Sequence, residues 1–216
     1  MVYGNGPYKE DPLNRGGSDA DKANSIFAEI APYTRMLADD VSGFIIPIVV
    51  KSFVVRGYTV EGDAGRPFEY HRVAAAPTAH TGYLRSKDGA YWELREDRPT
   101  PKMFRAPADV YELGSAATID QGSDVLEVAG VFSAADVGKR VLVEGAGPEQ
   151  EELRTSIVEF IDANTVRLAD AASEARVLAD VLIGSNDAEA VVECWKYAKH
   201  RKVNMHLGSS WYLLSL

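Results

Sequence analysis

The sequence predicts a mainly β protein with an N-terminal α-helix and two small β modules. Three observations lead to this prediction. Apolar residues recur at steps of three and four between positions 23 and 41, which is typical of one helix face. After Gly43 the pattern changes to short runs of alternating and β-branched residues, which are typical of strands. Pro99, Pro101 and Pro107 then mark a boundary between two groups of strands.

Composition excludes several classes of protein. The 216 residues include 23 Lys and Arg against 32 Asp and Glu, which gives a formal net charge of −9. Because nucleic-acid binding needs a basic face, we expect no nucleic-acid partner. The single cysteine, Cys194, permits neither an intrachain disulfide nor a cysteine-based zinc cage. The apolar stretch from Phe44 to Val55 is too short to span a membrane, so we also expect a soluble protein with no membrane partner.

The N-terminal region, residues 1–43, reads as an irregular arm followed by one amphipathic helix. Glycine and proline prevent regular structure before residue 18, and Ser18 with Asp21 fits a capping box at the start of the helix. Gly43 is expected to end the helix. Its apolar stripe either packs against the protein's own sheet or forms a subunit interface. The interface candidates on this stripe are Ile26, Phe27, Ile30, Tyr33 and Leu37.

The first β module is predicted over residues 44–105. Its strands are expected at Ile48–Val55, Phe68–Val73, Thr81–Ser86 and Ala90–Arg95. The last two flank Asp88-Gly89, a pair that favours a hairpin with a type I′ turn, because both residues tolerate the positive φ that this turn requires.

The second β module is predicted over residues 106–184. Alternation indicates short strands joined by turns such as Gln121-Gly122-Ser123 and Asp162-Ala163-Asn164. The expected strands are 118–119, 125–128, 140–144, 153–161, 165–168 and 177–183.

The last region, residues 185–216, is predicted as a helix from Asn186 to Arg201 followed by two strands. Val191, Val192, Trp195 and Ala198 would form the apolar face of the helix. The strands are expected at 203–207 and 211–214. Trp211, Tyr212 and Leu213 are further interface candidates, because an apolar strand at a terminus needs a partner.

Two blocks of the sequence resemble the N-terminal part of phage tailspikes built on the pectate-lyase-like right-handed β-helix. The first block, residues 50–104, contains "GYTVEGDAG", "DGAYWEL" and "TPKMF". The second, residues 132–216, contains "FSAADVGKRV", "NTVRL" and "NDAEAVVECWKYA". Together they cover roughly two-thirds of the chain. The resemblance implies that residues 185–216 are the capping helix and the first rung of a right-handed β-helix.

The resemblance also implies a function. In tailspikes this region attaches the receptor-binding fibre to the virion, and the later β-helix binds or cleaves the host polysaccharide. We therefore expect a non-enzymatic structural protein of the phage tail, a homotrimer that docks on a tail, baseplate or portal-adaptor protein. We expect host glycan to be bound only by a C-terminal part that is missing from these residues. Residues 203–216 either begin a longer chain or pair with another subunit.

Two alternatives come from other classes of function. The chain is the front of a polysaccharide lyase or hydrolase, or it is a carbohydrate-binding module that uses Tyr91, Trp92 or Trp211 as a sugar platform. We expect no cofactor, no catalytic residues and no metal site. The four histidines, His71, His80, His200 and His206, lie on separate predicted elements without metal-binding spacing.

Overall fold

The computed structural model describes residues 36–208 and 210–214 of the chain. These residues form two β structures and one α-helix. The first four strands are β1 (Ser52–Val55), β2 (Phe68–Val73), β3 (Tyr83–Arg85) and β4 (Tyr91–Leu94). Six more follow: β5 (Tyr111–Ile119), β6 (Val125–Glu127), β7 (Arg140–Val143), β8 (Leu153–Asp162), β9 (Thr165–Leu168) and β10 (Arg176–Gly184). The helix is α1 (Ala188–Arg201).

The first four strands form an antiparallel sheet in the order β1-β2-β4-β3. Alternation places Phe53, Tyr70 and Leu94 on its buried face, with Phe53 opposite Tyr70 and Tyr70 opposite Leu94. The predicted hairpin joins β3 to β4, but its turn is not type I′. Gly89 has a φ of 83° whereas Asp88 does not have a positive φ, so only one residue takes the left-handed conformation.

The other six strands close into an antiparallel barrel in the order β10-β5-β6-β9-β8-β7. Strand β10 closes it, because it pairs with β7 on one side and β5 on the other. Alternating residues fill the interior, among them Leu126, Val141, Val143 and Ile157, which are all fully buried. The barrel therefore has a hydrophobic core of its own, separate from that of the sheet.

Helix α1 returns from the barrel to the sheet. Ala190, Cys194 and Tyr197 are buried in the same core as the residues of the first sheet. The Tyr197 hydroxyl accepts a hydrogen bond from the Glu96 amide at 2.8 Å and donates one to the Leu94 carbonyl at 3.0 Å. Burial raises the pKa of the Cys194 thiol to about 12. The sheet and the helix are thus one packed unit that the barrel interrupts in sequence.

The helix presents a different face from the one that we predicted. Val192 and Trp195 are about half exposed, and the buried positions are Ala190, Cys194 and Tyr197 with Ala198. Lys199 covers Trp195, with its ammonium 5.0 Å from the ring centroid. The prediction was right for Ala198 and wrong for Val192 and Trp195, because the helix instead turns Tyr197 towards the sheet, where its hydroxyl finds hydrogen-bond partners at Leu94 and Glu96.

The prediction of a right-handed β-helix is wrong, and so is the prediction of an α-helix over residues 36–43, the described end of the N-terminal helix. Of the predicted helix, residues 18–35 lie outside the described residues. Met36 pairs with Val55 in a parallel bridge, and only Asp39–Gly43 is a short 3-10 helix. After α1 the described residues form no regular strand, and Leu213 makes a single bridge to Asn186. The strands of the second module pair antiparallel and close on themselves, so they do not stack as rungs.

A buried carboxylate joins the segments that run between the sheet and the barrel. Asp187, which is fully buried, accepts hydrogen bonds from the Ala108 amide at 3.1 Å and the Leu213 amide at 3.2 Å. The Asp187 amide donates to the Leu213 carbonyl at 2.8 Å. Desolvation raises the pKa of this carboxyl, and the two amides oppose the shift. One side chain therefore fixes the segment before the barrel, the start of α1 and the C-terminal segment.

None of the helices in the described part of the chain is long and apolar enough to cross a membrane.

Replacing Asp187 by alanine should lower the free energy of unfolding by about 2–4 kcal/mol, because the buried Leu213 amide and the partly buried Ala108 amide lose their acceptor. Chemical denaturation monitored by circular dichroism measures this change. Asp40→Ala is the matched control, since Asp40 is exposed and its loss should change stability by less than about 0.5 kcal/mol. Equal stabilities of the two variants would contradict the role of Asp187.

Candidate functional site

The first candidate is an uncharged segment that we name the apolar loop, residues 44–50, between the 3-10 helix and β1. Four of its side chains are strongly exposed: Phe44 44%, Ile45 63%, Ile48 75% and Val49 70%. Ile46 and Val50 point inward and are buried, so they anchor the loop on the sheet. A run of large apolar side chains exposed on a protein surface is typical of an interaction site.

The apolar loop is held in place by one arginine of β2. Arg72 donates hydrogen bonds to the Ile46 carbonyl at 2.6 Å and, through Nε, to the Val50 carbonyl at 3.3 Å. Its guanidinium also lies 4.3 Å from the ring centroid of the buried Trp92. Because the backbone of the loop is bonded to the sheet, its exposed side chains are displayed on a fixed support.

The structure locates only some of the interface residues that we predicted. Ile26, Phe27, Ile30 and Tyr33 lie outside the described residues. Leu37 is half-buried. Of the C-terminal candidates, Trp211 is 61% exposed, Tyr212 is half-buried against the first core, and Leu213 is buried. Sequence reasoning missed the apolar loop as an interface because its last three residues, 48–50, were predicted to belong to the strand Ile48–Val55, which the structure begins only at Ser52.

The second candidate is a cleft of about 420 Å³ on the barrel, with Trp211 in its wall. Its other lining residues are mainly acidic: Glu112, Glu144, Glu151, Glu152 and Asp180. Of the three aromatic residues predicted as sugar platforms, Trp92 cannot serve, because it is fully buried and its indole N–H donates to the Ser86 hydroxyl at 3.0 Å. Tyr91 is half-buried beside Arg85, which leaves Trp211 as the most exposed of the three.

The third candidate is a cluster of two histidines and a glutamate where α1 meets the first sheet. His80 lies in the connection between β2 and β3, Glu93 lies on β4, and His200 lies in the last turn of α1. One nitrogen or oxygen atom from each lies within 4.8 Å of the other two. His80 Nε2 and Glu93 Oε1 are 3.4 Å apart. No local sequence pattern predicts this cluster, since its members come from three elements that only the tertiary fold brings together.

His80 has an unusual environment. Its side chain is completely buried, Nδ1 accepts a hydrogen bond from the Gly82 amide at 3.1 Å, and Nε2 has no hydrogen-bond partner among residues 36–208 and 210–214. Burial lowers the pKa of His80, and the carboxylate of Glu93 opposes that shift. The Tyr197 ring packs edge-on at 5.0 Å, and the His200 ring lies 5.4 Å away.

A further cleft, of about 350 Å³, lies between the first sheet and α1, with Tyr83, Arg105 and Glu189 among its lining residues. Several of its polar groups are already engaged. Arg105 pairs with Asp39 and covers the ring of Tyr58 at 4.3 Å. Glu193 accepts from the Thr81 amide and pairs with Lys196. This cleft therefore offers a ligand few unpaired groups.

No protein-family model matches the chain, and a search of curated proteins found no significant match.

Proposed function

We propose that the chain is a structural component of a phage tail, which attaches a trimeric receptor-binding tailspike or fibre to the virion. The observation that supports this proposal is the apolar loop, which presents four large apolar side chains from a fixed backbone. The order of the tailspike-like motifs in the sequence is the reason for proposing a phage protein. A tail, baseplate or portal-adaptor protein would be the docking partner.

Charge favours sister subunits as the occupants of the apolar loop. The chain carries a net charge of −9, so two copies repel each other across most of their surface. Residues 44–50, FIIPIVV, contain no charged residue. Copies that meet there bury apolar area without bringing carboxylates together. We therefore place the contact between the subunits of the trimer at this loop.

The enzyme alternative receives less support from the fold. A glycan-cleaving site of the β-helix type is set on stacked rungs, and the described residues contain none. The proposal accordingly assigns no catalytic role to this chain.

Replacing Ile48 by aspartate should dissociate the trimer, because a carboxylate buried between subunits loses its hydration without a partner. Sedimentation equilibrium at micromolar concentration measures the mass. The wild type should have the mass of three chains and Ile48→Asp that of one. The side chain is 75% exposed in the single chain, so the substitution should leave the fold intact.

Val177→Asp is the matched control, since Val177 is 74% exposed on β10 of the barrel, away from the apolar loop. It should leave the trimer intact. A monomeric wild type, or equal masses for the two variants, would refute the trimer contact. Antibodies against the chain should label phage tails in electron micrographs, and labelling elsewhere would refute the attachment role.

The Trp211 cleft favours carbohydrate binding as a second candidate function. An exposed indole offers a flat apolar face to a sugar ring, and carboxylates beside it can accept hydrogen bonds from sugar hydroxyls.

If that function is present, the chain should bind a bacterial surface polysaccharide in a glycan array, and Trp211→Ala should abolish the binding. Trp195→Ala serves as the control, because Trp195 is similarly exposed but lies on α1. Absence of glycan binding by the wild type would remove this candidate and leave the attachment role unaffected.

A further inference from the structure

We propose that His80, Glu93 and His200 form a binding site for one divalent transition-metal ion of the zinc class. Imidazole nitrogen and carboxylate oxygen are the ligands that such ions prefer in proteins when cysteine is absent. Three protein ligands leave a coordination position for water. This inference is independent of the attachment role, because the cluster lies at the junction of sheet and helix and not on the apolar loop.

The unpartnered nitrogen of His80 is the first reason for this proposal. The side chain is fully buried, yet Nε2 makes no hydrogen bond within the described residues. Glu93 Oε1 lies 3.4 Å away, which is longer than a normal hydrogen bond between these atoms. A buried polar atom without a partner is costly, and a bound ion would give Nε2 a partner.

The second reason is the way in which Glu93 is oriented. The Arg95 guanidinium forms an ion pair with Glu93, with Nη2 at 3.0 Å from Oε2, while Oε1 is the oxygen directed at His80. An outer partner that holds one carboxylate oxygen and leaves the other for the ion is a common feature of metal sites. Glu93 is itself buried, so its position on β4 is fixed.

His200 supplies the adjustable ligand. The donor atoms lie within 4.8 Å of one another, whereas ligands of a tetrahedral ion at about 2.1 Å lie about 3.4 Å apart. The cluster must therefore contract when it binds. His200 is exposed in the last turn of α1, so its side chain can turn inward without disturbing the core. His80 and Glu93 keep their places, because both are buried.

Metal binding also requires a proton to change position on His80. Nδ1 accepts a hydrogen bond from the Gly82 amide, so the neutral ring carries its proton on Nε2. An ion at Nε2 displaces that proton to solvent, and Nδ1 takes one up, so the ring stays neutral. The Gly82 amide then loses its acceptor. Binding should consequently be weaker than at a preorganised zinc site, and the Gly82 amide should report it.

Titration of the full chain with zinc chloride, followed by calorimetry, tests the proposal, and Co²⁺ absorption in the visible range reports the coordination geometry. We expect one ion per chain. His200→Ala should weaken binding at least about tenfold, and it should fold normally because His200 is exposed. His71→Ala is the control: His71 is half-exposed and pairs with Glu69 at 3.0 Å, outside the cluster, so its loss should leave the affinity unchanged.

Nuclear magnetic resonance distinguishes this site from scattered surface binding. On addition of Zn²⁺ the Gly82 amide resonance should shift, and the ring proton of His80 should move from Nε2 to Nδ1. Three results would overturn the proposal: no Zn²⁺ binding by the wild type, equal affinities for His200→Ala and His71→Ala, or binding that leaves both the Gly82 amide and the His80 ring unchanged. Ile48→Asp should bind Zn²⁺ as the wild type does, so failure of the trimer contact and failure of the metal site are separable.

Discussion

The structure depends on how the chain leaves the first sheet, builds a barrel and returns to the same core. The first and last barrel strands pair directly, with Tyr111 opposite Ile183, so the barrel begins and ends at one place. Gly184 lies so close to Val110 that an added Cβ would come within 2.9 Å of its Cα. Asp187 fixes the junction, because its buried carboxylate accepts hydrogen bonds from one backbone amide in the segment before the barrel and from one in the C-terminal segment. Burying a carboxylate is unfavourable unless such donors compensate for the lost water.

This arrangement separates the roles of the two β structures. The sheet and α1 share one core and carry both the apolar loop and the histidine–glutamate cluster. The barrel has its own core and carries the acidic cleft. A surface change on one is therefore not expected to disturb the packing of the other. That independence agrees with the proposed attachment role, in which one part would contact sister subunits while the other would remain available to a different partner.

Local structure was largely predictable from the sequence. The bounds of β2 and β9 are those that alternation indicated, and the Asp88-Gly89 pair does mark a hairpin. Alternation is a local property, since successive side chains of a strand point to opposite faces whatever the partner strand is. The turn type was less predictable, because the φ of Asp88 depends on how β3 and β4 twist together.

Long-range features were not predictable in this way. Strand alternation does not tell a rung of a β-helix from a strand of a closed barrel, because both need one buried face. The buried face of α1 was misassigned at Val192 and Trp195, because tertiary contacts such as the hydrogen bonds of the Tyr197 hydroxyl to Leu94 and Glu96 decide which face packs on the sheet. The cluster of His80, Glu93 and His200 had no local signal at all.

The central claim is that the first sheet and α1 form one core into which the barrel is inserted, and removal of the barrel tests it most directly. The test uses a variant in which a short glycine linker replaces residues 111–183 and joins Val110 to Gly184. The quantity measured is the reactivity of Cys194 towards a thiol reagent at pH 8. The account predicts that Cys194 stays unreactive until denaturant is added, because it remains buried with a pKa of about 12. Immediate modification of Cys194 without denaturant would contradict it.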